Sequence, residues 1–449
     1  MFFRVMPTRA STSLIFKRIT SHLWAAYTFH PGEGQGTFKI FAQGVGSFRR
    51  MWYNNRNAVP VRPGAARRRT FGKGAVSVWR IWYNHTMSQE NLTTENILQR
   101  LPAPLLDWYR ANARDLPWRR TRDPYRIWVS EIMLQQTRVA AVLGYYARFL
   151  TAFPTVEALA AAPEERLMKL WEGLGYYSRA RNLQKTARIV AEQGGRFPDT
   201  YEELLKLPGI GDYTAGAIAS AAFGKREAAV DGNVLRVVMR LTDCHDDIAD
   251  PKVKKAVRAQ VQAVMPETAE DIRVFNQATM ELGATVCAPN GPPRCLECPA
   301  RDFCLGRLRG TAEDLPVKGA KKPRRVEERT VFLLLRQGQV ALRKRPKAGL
   351  LAGLWEFPNA EGALDEAAAS AVVESWGLTP KQWESRLTAK HIFTHVEWHM
   401  TGYTLEVAGD GPADFVWAGA EELGERAVPS AFARYSDEAK RRLGGWKED

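Results

Sequence analysis

Apolar residues recur at three- and four-residue intervals through the middle of the chain, which is the spacing of amphipathic helices. The pattern extends from about residue 92 to residue 286, and Phe153-Pro154-Thr155 and Phe197-Pro198-Asp199 interrupt it. The segments with helical periodicity are 126–150, 166–193, 213–222, 233–241 and 252–264. We therefore predict an all-α domain over residues 91–305.

The periodicity changes in the last third of the chain. Residues 331–335 and 340–342 are strand-like and flank Gln337-Gly338, which predicts a β-hairpin. The other predicted elements of this part are strands at 400–408 and 414–418 and helices at 363–377 and 430–443. We predict an α+β domain over 329–449, joined to the helical domain by a basic linker at 306–328 that contains Lys321-Lys322-Pro323-Arg324-Arg325.

The net charge of the 449-residue chain is +15, but most of the basic excess lies in the first 86 residues. That segment contains eleven arginines and three lysines against one acidic residue, Glu33. The overall charge therefore does not by itself indicate nucleic-acid binding. We expect residues 1–90 to form a basic extension that is disordered or extraneous to the fold. The alternatives are a transit peptide at 2–19, a true start at Met87 and a DNA-binding arm.

Four of the five cysteines are close together, in the pattern Cys287-x7-Cys295-x2-Cys298-x5-Cys304. Such a density predicts metal ligands in a reducing compartment and not a disulfide framework. Structural zinc sites usually contain two Cys-x2-Cys pairs, and this segment has one. The spacing therefore favours a [4Fe–4S] cluster over zinc.

A glycine-rich turn predicts contact with an anion. Gly209 and Gly211 lie in Leu-Pro-Gly-Ile-Gly, directly before an apolar helix. A tight turn at a helix start directs unpaired backbone N–H groups at a phosphate. Asp231 follows about twenty residues later, between Val230 and Gly232. A phosphate site close to an acid indicates a protein that binds nucleic acid and acts on it chemically.

Glu131 stands among apolar residues in Ser-Glu-Ile-Met-Leu-Gln-Gln-Thr. Burial favours the neutral form of a carboxyl group, so Glu131 could donate a proton near neutral pH. The alternative is a helix glutamate paired with Arg138. With Asp231 it forms a candidate acid and charge stabiliser, the pair that cleavage of an N-glycosidic bond requires.

Together these motifs closely resemble the MutY-type adenine DNA glycosylases of the helix-hairpin-helix superfamily. The matching segments are 130–137, 173–182, 207–216, 230–234, 275–277 and the four cysteines. The resemblance covers about residues 95–445. It implies a monomeric hydrolase that removes adenine from A:8-oxoguanine or A:G mispairs in double-stranded DNA. No membrane partner is expected. The expected location is the bacterial nucleoid or, in a eukaryote, the mitochondrion or nucleus.

The resemblance also implies a role for each matching residue. Glu131 would protonate adenine at N7, Asp231 would stabilise the oxocarbenium-like sugar by its charge or by transient attachment, and Asn233 would orient Asp231. The cysteines would hold one [4Fe–4S] cluster with a structural role. The residues placed against DNA are Arg119 and Gln277 on the flipped adenine, Gln136 and Tyr176 in the base stack, and Gly209 and Gly211 on the backbone.

The chain departs from related patterns at two positions. The endonuclease III branch has a lysine in the hairpin that forms a Schiff base, and this chain has Tyr213 there. A phenol cannot form an imine, so we predict a monofunctional glycosylase in which Tyr213 bonds near the catalytic acids. The first cysteine gap has seven residues where the family usually has six, and we expect the extra residue to bulge outward.

Residues 349–358 and the strands beyond them resemble a Nudix domain. The helix expected at 364–377 contains Asp365, Glu366 and Glu374 but lacks the Arg-Glu-x2-Glu-Glu run that binds Mg²⁺. We therefore predict a binding domain without phosphatase activity. The resemblance implies that this domain reads 8-oxoguanine through Phe393, Thr394 and His395, where the family usually has Phe-Ser-His. The open alternatives are an endonuclease III-like glycosylase/lyase, a non-catalytic Fe–S DNA-binding protein and a nucleotide-pyrophosphate hydrolase.

Overall fold

The computed structural model describes residues 93–319 and 323–444, together with the backbone of four strands nearer the amino terminus. The chain forms two units, Met1–His85 and Thr86–Asp449. The first contains the antiparallel strands β1 (Ser13–Thr20), β2 (Leu23–Phe29), β3 (Gln35–Ala42) and β4 (Met51–Asn54), in that order. The sequence did not predict these strands. The predicted disordered or extraneous extension over 1–90 falls largely on residues outside the described ones and stays a prediction.

The second unit begins with the predicted all-α domain. Its helices are α1 (Thr94–Gln99), α2 (Pro102–Asn112), α3 (Pro124–Leu134), α4 (Val139–Ala152), α5 (Val156–Ala161), α6 (Glu164–Trp171), α7 (Ser178–Glu192), α8 (Tyr201–Leu204), α9 (Asp212–Phe223), α10 (Gly232–Thr242), α11 (Pro251–Val264), α12 (Ala269–Thr285) and α13 (Leu305–Arg309). Short 3-10 turns cover Pro117–Arg119 and Cys295–Glu297.

Two predicted helices are each divided in two. The segment 126–150 forms α3 and α4, because Gln136 has a φ of 58° and ends the helical path. The segment 166–193 forms α6 and α7, because Gly173, Gly175 and Tyr176 all have positive φ. Apolar periodicity continues across such breaks, so it does not reveal them. Both breaks carry residues that the sequence assigned to the DNA contact.

The helical domain contains two hydrophobic cores. The first is formed by residues between Leu116 and Ala222, in α3–α9. The second combines α1 and α2 with the chain between Ala228 and Leu305. Helix α9 belongs to the first core, and its Tyr213 reaches Met280 on α12, which packs on the second. A seam between the two cores therefore lies along α9.

The carboxy-terminal domain has one mixed sheet with helices on both faces. Its strands are β5 (Arg325–Arg336), β6 (Gln339–Lys344), β7 (Trp355–Glu356), β8 (Asn359–Glu361), β9 (Thr379–Ile392), β10 (Val396–Ala408) and β11 (Phe415–Ala418), and its helices are α14 (Glu366–Ser375), α15 (Ala420–Glu425) and α16 (Ala433–Arg442). The sheet order is β11-β6-β5-β10-β9, with β7 on β6 and β8 on β5. Strands β5 and β10 are parallel and the other pairs are antiparallel.

Alternation along β5 explains the two-sided packing. Val331 and Leu333 contribute to the core beside α15 and α16, whereas Phe332 and Leu334 contribute to the core beside α14. The predicted hairpin is confirmed, with Leu335 opposite Val340. The predicted strands and helices of this part are also present. The sequence missed β9, a long, partly exposed edge strand rich in polar residues. The segment predicted as a linker, 306–328, contains most of α13 and the start of β5.

The carboxy-terminal domain packs directly on the helical domain. Leu354 and Ala427 are buried within the first helical core. Lys169 donates from Nζ to the Arg426 carbonyl at 3.1 Å, and the Val428 N–H donates to Glu172 at 2.9 Å. These contacts fix the sheet beside α6 and α7. Across residues 93–319 and 323–444, no helix combines the length and apolar character that a membrane crossing requires.

Candidate active site

Glu131 lies on α3 in the seam between the two cores, with 8% of the residue exposed. Its Oε2 accepts a hydrogen bond from the Tyr213 phenol on α9 at 2.5 Å. Burial raises the pKa of Glu131 to about 7; the Tyr213 hydrogen bond opposes the rise and the nearby Asp231 carboxylate adds to it. The partner is thus a phenol and not Arg138, which lies exposed at the start of α4. The carboxyl therefore keeps its proton to a higher pH than an exposed glutamate does.

Asp231 is the N-cap residue of α10 and approaches the same seam. Its Oδ1 accepts from the backbone N–H groups of Asn233 and Val234 at 2.9 and 2.8 Å. Its Oδ2 accepts from the Asn233 side-chain amide at 2.7 Å. Burial raises the pKa of Asp231, while these three donors and the charge of Arg236 favour its ionised form. Both oxygens are therefore fixed in direction.

A chain of hydrogen bonds continues from Asn233 to the cysteine loop. Arg236 donates from Nη2 to Asn233 Oδ1 at 2.8 Å and from Nε to the Cys287 carbonyl at 2.8 Å. Helix α12 approaches α10 closely at Gly283, which has no side chain. A Cβ at this position would lie 2.7 Å from the Asn233 Cβ. The position of Asp231 therefore depends on α12 and on the loop that begins at Cys287.

Arg119 and Gln277 both contact Tyr109, and Arg119 lies close enough to Glu131 for its charge to act on that carboxyl. The Tyr109 phenol donates to Gln277 Oε1 at 3.0 Å, and the Arg119 guanidinium lies 5.5 Å from the centre of the Tyr109 ring. Arg119 also donates from Nη2 to Glu281 at 2.7 Å, and its charge lowers the pKa of Glu131 slightly against the effect of burial. The structure thus brings Arg119 near Glu131 and connects Gln277 to Arg119 through the Tyr109 side chain that both contact.

The sequence did not reveal three side chains at this site, which are Glu281, Arg114 and Tyr109. Glu281 is fully buried and accepts from both Arg114 and Arg119 at 2.7 Å. Burial alone would raise the pKa of Glu281, but the two arginines lower it to about 2. Tyr109, the third missed side chain, donates its phenol proton to Gln277. A usable signal existed for Glu281, which follows Gln277 by four residues on α12 and so shares its face.

The glycine turn before α9 is exposed, as an anion site requires. Gly209 has a φ of 77°, and a Cβ there would lie 2.7 Å from the Asn182 Cβ. Gly211 is the N-cap residue of α9 and has open space around its Cα. The short α8, this turn and α9 form a helix-hairpin-helix. The first N–H groups of α9 consequently face solvent.

Gln136 and Tyr176 are both exposed, and both lie in the left-handed region, with φ of 58° and 46°. The Tyr176 hydroxyl is 2.8 Å from the Thr394 hydroxyl, so the helical domain and the β9–β10 loop meet at this point. Tyr177 beside it is buried in the first core.

Phe393, Thr394 and His395 form the tight loop between β9 and β10, closed by the hydrogen bond from the Phe393 N–H to the Val396 carbonyl. The Phe393 ring is half-buried, with its centre 4.9 Å from that of Trp398. Thr394 and His395 are exposed. The predicted Nudix helix is α14, in which Asp365 caps the first turn by accepting from the Ala368 N–H.

The four clustered cysteines line one cavity between α10, α13 and the loop at 287–304. All four are free thiols, and Arg240, Arg301 and Arg307 line the same cavity. Arg240 Nη1 is 3.4 Å from Cys287 Sγ. Within the described ranges, no three His, Cys, Asp or Glu side chains are arranged to hold a single metal ion. Four thiols around one cavity with positive groups nearby suit an anionic cluster.

The seven-residue gap follows the path that the sequence predicted. Residues 289–292 are exposed, and Gly291 has open space around it with a φ of 75°. The chain returns at Arg294, whose N–H donates to the Val286 carbonyl at 3.0 Å, one residue before Cys295. Residues 289–292 therefore lie outside the cavity that the thiols line, whereas Pro293 lines it.

Comparisons with known proteins agree with this geometry. Residues 129–263 match the family model described as HhH-GPD superfamily base excision DNA repair protein. Residues 330–438 match the NUDIX domain model. The first match contains Glu131, Tyr213 and Asp231.

Similar proteins cover most of the chain. The human adenine DNA glycosylase is 37% identical over an alignment of 397 positions that covers 74% of this chain and 72% of that protein. The Arabidopsis thaliana adenine DNA glycosylase is 41% identical over 326 residues, covering 63% and 50% of the two chains. A solved thermostable thymine-DNA glycosylase is 31% identical, covers 48% of this chain and 99% of that one, and aligns with a TM-score of 0.44. The chain therefore belongs to the adenine DNA glycosylase family.

Proposed function

We propose that this protein hydrolyses the N-glycosidic bond of adenine mispaired with 8-oxoguanine or guanine in double-stranded DNA, starting base-excision repair. The observation that carries the proposal is the pair of buried carboxyls, Glu131 and Asp231, which approach one seam with different partners. Adenine is a poor leaving group as an anion, so its departure requires a proton donor and a group that stabilises the positive sugar.

The two carboxyls suit these two roles. With its pKa raised to about 7 by burial, Glu131 can keep a proton near neutral pH and donate it to adenine N7. Asp231 accepts three N–H hydrogen bonds, which favour its charged form, and stabilises the oxocarbenium-like sugar. Water then completes the hydrolysis. Asn233 orients Asp231 through the 2.7 Å hydrogen bond.

Arg119 and Gln277 recognise the flipped adenine. The base inside a duplex is out of reach, so the nucleotide leaves the stack and enters the seam. A glutamine amide both donates and accepts, which matches the N6 amine and a ring nitrogen of adenine. Glu281 and Tyr109 hold these two side chains in position. Gly209 and Gly211 contact the DNA backbone through N–H groups at the start of α9.

The 8-oxoguanine strand meets the surface where the two domains join. Gln136 and Tyr176 enter the base stack, and the Tyr176 hydroxyl contacts Thr394 in the loop proposed to read 8-oxoguanine. A duplex that presents adenine to Glu131 therefore also lies beside Phe393, Thr394 and His395. The hydroxyl of Thr394 and the imidazole of His395 supply both donors and acceptors for the oxidised base.

Cys287, Cys295, Cys298 and Cys304 would hold one [4Fe–4S] cluster. Bound there, the cluster supplies a rigid anionic centre that fixes the loop at 287–304, since glycosidic hydrolysis requires no electron. Arg236 joins the Cys287 carbonyl to Asn233, so the cysteine loop helps to position Asp231. Iron and labile sulfide analysis of anaerobically purified protein should give four of each per chain.

The reaction should leave the DNA strand intact. Tyr213 occupies the hairpin position at which a lyase uses a lysine, and its hydroxyl donates to Glu131. Burial raises the pKa of Tyr213 well above its usual value, so the phenol stays protonated. Stoichiometric trapping of protein on DNA by borohydride would contradict this assignment and favour an endonuclease III-like lyase.

The test incubates the purified full-length chain with a duplex containing one A:8-oxoguanine pair, followed by alkaline strand cleavage. Glu131→Gln and Asp231→Asn should each lower the single-turnover rate by about 10²–10⁴-fold. An intact adenine after incubation with cluster-loaded wild type would overturn the proposal.

Asp250→Asn is the matched control for Asp231→Asn. Asp250 caps α11 as Asp231 caps α10, accepting from the Lys252 N–H at 2.8 Å, and it is exposed. Asparagine caps a helix about as well as aspartate, so both variants should fold. An equal loss of rate in Asp250→Asn would show that the activity change reflects helix capping and not the charge of Asp231.

A further inference from the structure

Gln136 and Tyr176 have backbone conformations that are unfavourable for their residue types. An L-residue with a side chain loses about 1–2 kcal/mol in the left-handed region. Neither position is a glycine, and both side chains are exposed, so side-chain burial does not offset this cost. Their surroundings must therefore hold both turns in place.

One guanidinium contacts both turns. Arg179 on α7 is 9% exposed, and its side chain ends between the carboxyl end of α3 and the turn before α7. Its Nη1 donates to the carbonyls of Ile132, Met133 and Gln135 at 2.6, 3.1 and 2.7 Å, and its Nη2 donates to those of Leu174 and Gly175 at 3.0 and 3.2 Å. Gln135 directly precedes Gln136, and Gly175 directly precedes Tyr176.

The environment of Arg179 suits a fixed cation. Its guanidinium lies 5.3 Å from the centre of the Trp171 ring and 5.7 Å from that of Tyr176. Burial lowers the pKa of Arg179 to about 10, so it stays charged at neutral pH. The last carbonyls of a helix carry partial negative charge and favour a cation. Five carbonyls converge on this one group. The Gln135 carbonyl also accepts from the Thr137 hydroxyl at 3.4 Å and the Gly175 carbonyl from Trp171 Nε1 at 3.1 Å, but Arg179 is the donor that both turns share.

We propose that Arg179 is a positioning residue for base extrusion, which holds Gln136 and Tyr176 in left-handed conformations so that both side chains project into the duplex. This inference rests on the proposed function, because it needs the two side chains to enter the base stack. Arg179 touches neither adenine nor Glu131. It acts on the reaction through the two turns alone.

Arg179→Lys tests the inference while keeping the charge. A lysine is a point donor without the planar fork, so it cannot contact carbonyls of both turns at once. The matched control is Arg226→Lys. Arg226 donates to the carbonyls of Ala263 and Met265 at the end of α11, so it also caps a helix but lies in another part of the domain.

The first readout is the fluorescence of 2-aminopurine, which rises when the base leaves the stack. The probe replaces adenine opposite 8-oxoguanine, and all proteins carry Glu131→Gln so that no hydrolysis occurs. Arg179→Lys should lower the fluorescence rise at saturating protein by at least about fivefold, and Arg226→Lys should leave it within about twofold. An unchanged rise in Arg179→Lys would overturn the inference.

The second readout separates positioning from general structural damage. Single-turnover rates on A:8-oxoguanine are compared for Arg179→Lys in the wild type and in the Gln136→Ala, Tyr176→Ala chain. If Arg179 acts only through Gln136 and Tyr176, its replacement should lower the rate at least about tenfold in the wild type and less than about twofold in the double variant. Equal losses in both backgrounds would overturn the inference.

Two outcomes are kept distinct. If the Glu131→Gln protein binds the duplex without any fluorescence rise while Arg179 is present, the proposed function fails and not the role of Arg179. If Arg179→Lys melts below the assay temperature, Arg179→Gln replaces it, because glutamine keeps two N–H donors without a buried charge. Arg179→Gln should show the same loss of fluorescence and the same dependence on Gln136 and Tyr176. If it shows neither, the inference is overturned.

Discussion

Two buried glutamates, one in each domain, are held in opposite ways. In the helical domain, Glu131 accepts a hydrogen bond from a neutral phenol, and burial raises its pKa to about 7. In the carboxy-terminal domain, Glu356 is 2% exposed and lies between two guanidiniums, with Arg343 Nε 3.0 Å from Oε1 and Arg345 on Oε2. Burial is common to both, and the partners differ.

The difference separates a carboxyl that supports the fold from one that can perform chemistry. A buried carboxylate is costly unless cations and hydrogen bonds compensate it, and Glu356 is compensated. In Glu131, burial instead raises the pKa and so favours the protonated form. Its own pocket contains the contrasting case, because Arg114 and Arg119 lower the pKa of Glu281 to about 2. Arginines are therefore available beside Glu131 but bind its neighbour.

The largest expected effect comes from uncoupling Glu356. Glu356→Gln leaves two partly buried guanidiniums facing a neutral amide, and breaking such a pair costs about 4 kcal/mol of stability. Hydrogen exchange of the β6 amides at 340–342 in the full chain should show this loss. The rate of adenine removal per folded molecule from an A:G duplex should change little, because Glu356 lies outside the seam.

Glu165→Gln is the control for that measurement. Glu165 on α6 pairs with Lys344, the last residue of β6, at 3.2 Å. Both side chains are at least half exposed. An exposed pair contributes less than about 1 kcal/mol. If both variants lose hydrogen-exchange protection to a similar extent, the buried contact of Glu356 with its two arginines does not stabilise this domain more than the exposed pair does.

The next effect is a pH-dependent gain in stability when Glu131 is replaced. Its pKa is raised to about 7 in the folded protein against a usual value of 4.5, so the stability it contributes is complete below pH 4.5 and is lost as the pH rises through 7. Glutamine does not titrate. Glu131→Gln should therefore gain about 2 kcal/mol relative to wild type between pH 5.5 and pH 8, measured by denaturant unfolding of the full chain.

An exposed glutamate provides the comparison for this experiment. Glu192→Gln, at the end of α7, removes the same charge from the surface. It should give the same difference from wild type at both pH values. A gain in Glu131→Gln that does not depend on pH would mean that Glu131 is ionised at both pH values in the folded protein.

Removing the phenol should shift the pH profile of the reaction. The hydrogen bond from Tyr213 lowers the pKa of Glu131 against the effect of burial. Tyr213→Phe removes it, so Glu131 should keep its proton to higher pH. The alkaline limb of the single-turnover rate should move upward by up to about one pH unit. A midpoint that stays in place or moves down would show that Tyr213 does not bond to Glu131 in the complex.

How far the sequence reveals this site depends on where each partner lies in the chain. Glu131 and Asp231 were found because each stands out locally, one among apolar residues and one at a helix start. Glu281, Arg114 and Tyr109 were missed because their partners are more than 160 residues away. Their pairing requires α2 and α12 to pack together, which no local pattern encodes.

The same limit applies to the fold. The second half of strand β5, 331–335, was predicted because its residues are apolar and almost all buried on both faces, whereas the polar first half was not. Strand β9 was missed because it is an edge strand with polar residues, which lack the signal of a buried strand. The break at Gln136 was missed because Arg179, 44 residues after Gln135, donates to the Gln135 carbonyl from outside that segment. The break at Tyr176 was missed because apolar periodicity continues across it. Local rules fail where a distant side chain holds the backbone.

The smallest expected effect concerns the contact between the two domains. The Tyr176 and Thr394 hydroxyls are 2.8 Å apart at an exposed position, where a hydrogen bond contributes about 1 kcal/mol. Tyr176→Phe and Thr394→Val each delete this bond and keep most of the side-chain volume. Each should lower the preference for A:8-oxoguanine over A:G by about two- to fivefold in single-turnover rates. Because both changes remove the same bond, the double variant should lose no more than either single one. Additive losses would mean that the two hydroxyls contact DNA independently and that the helical domain does not orient the reading loop.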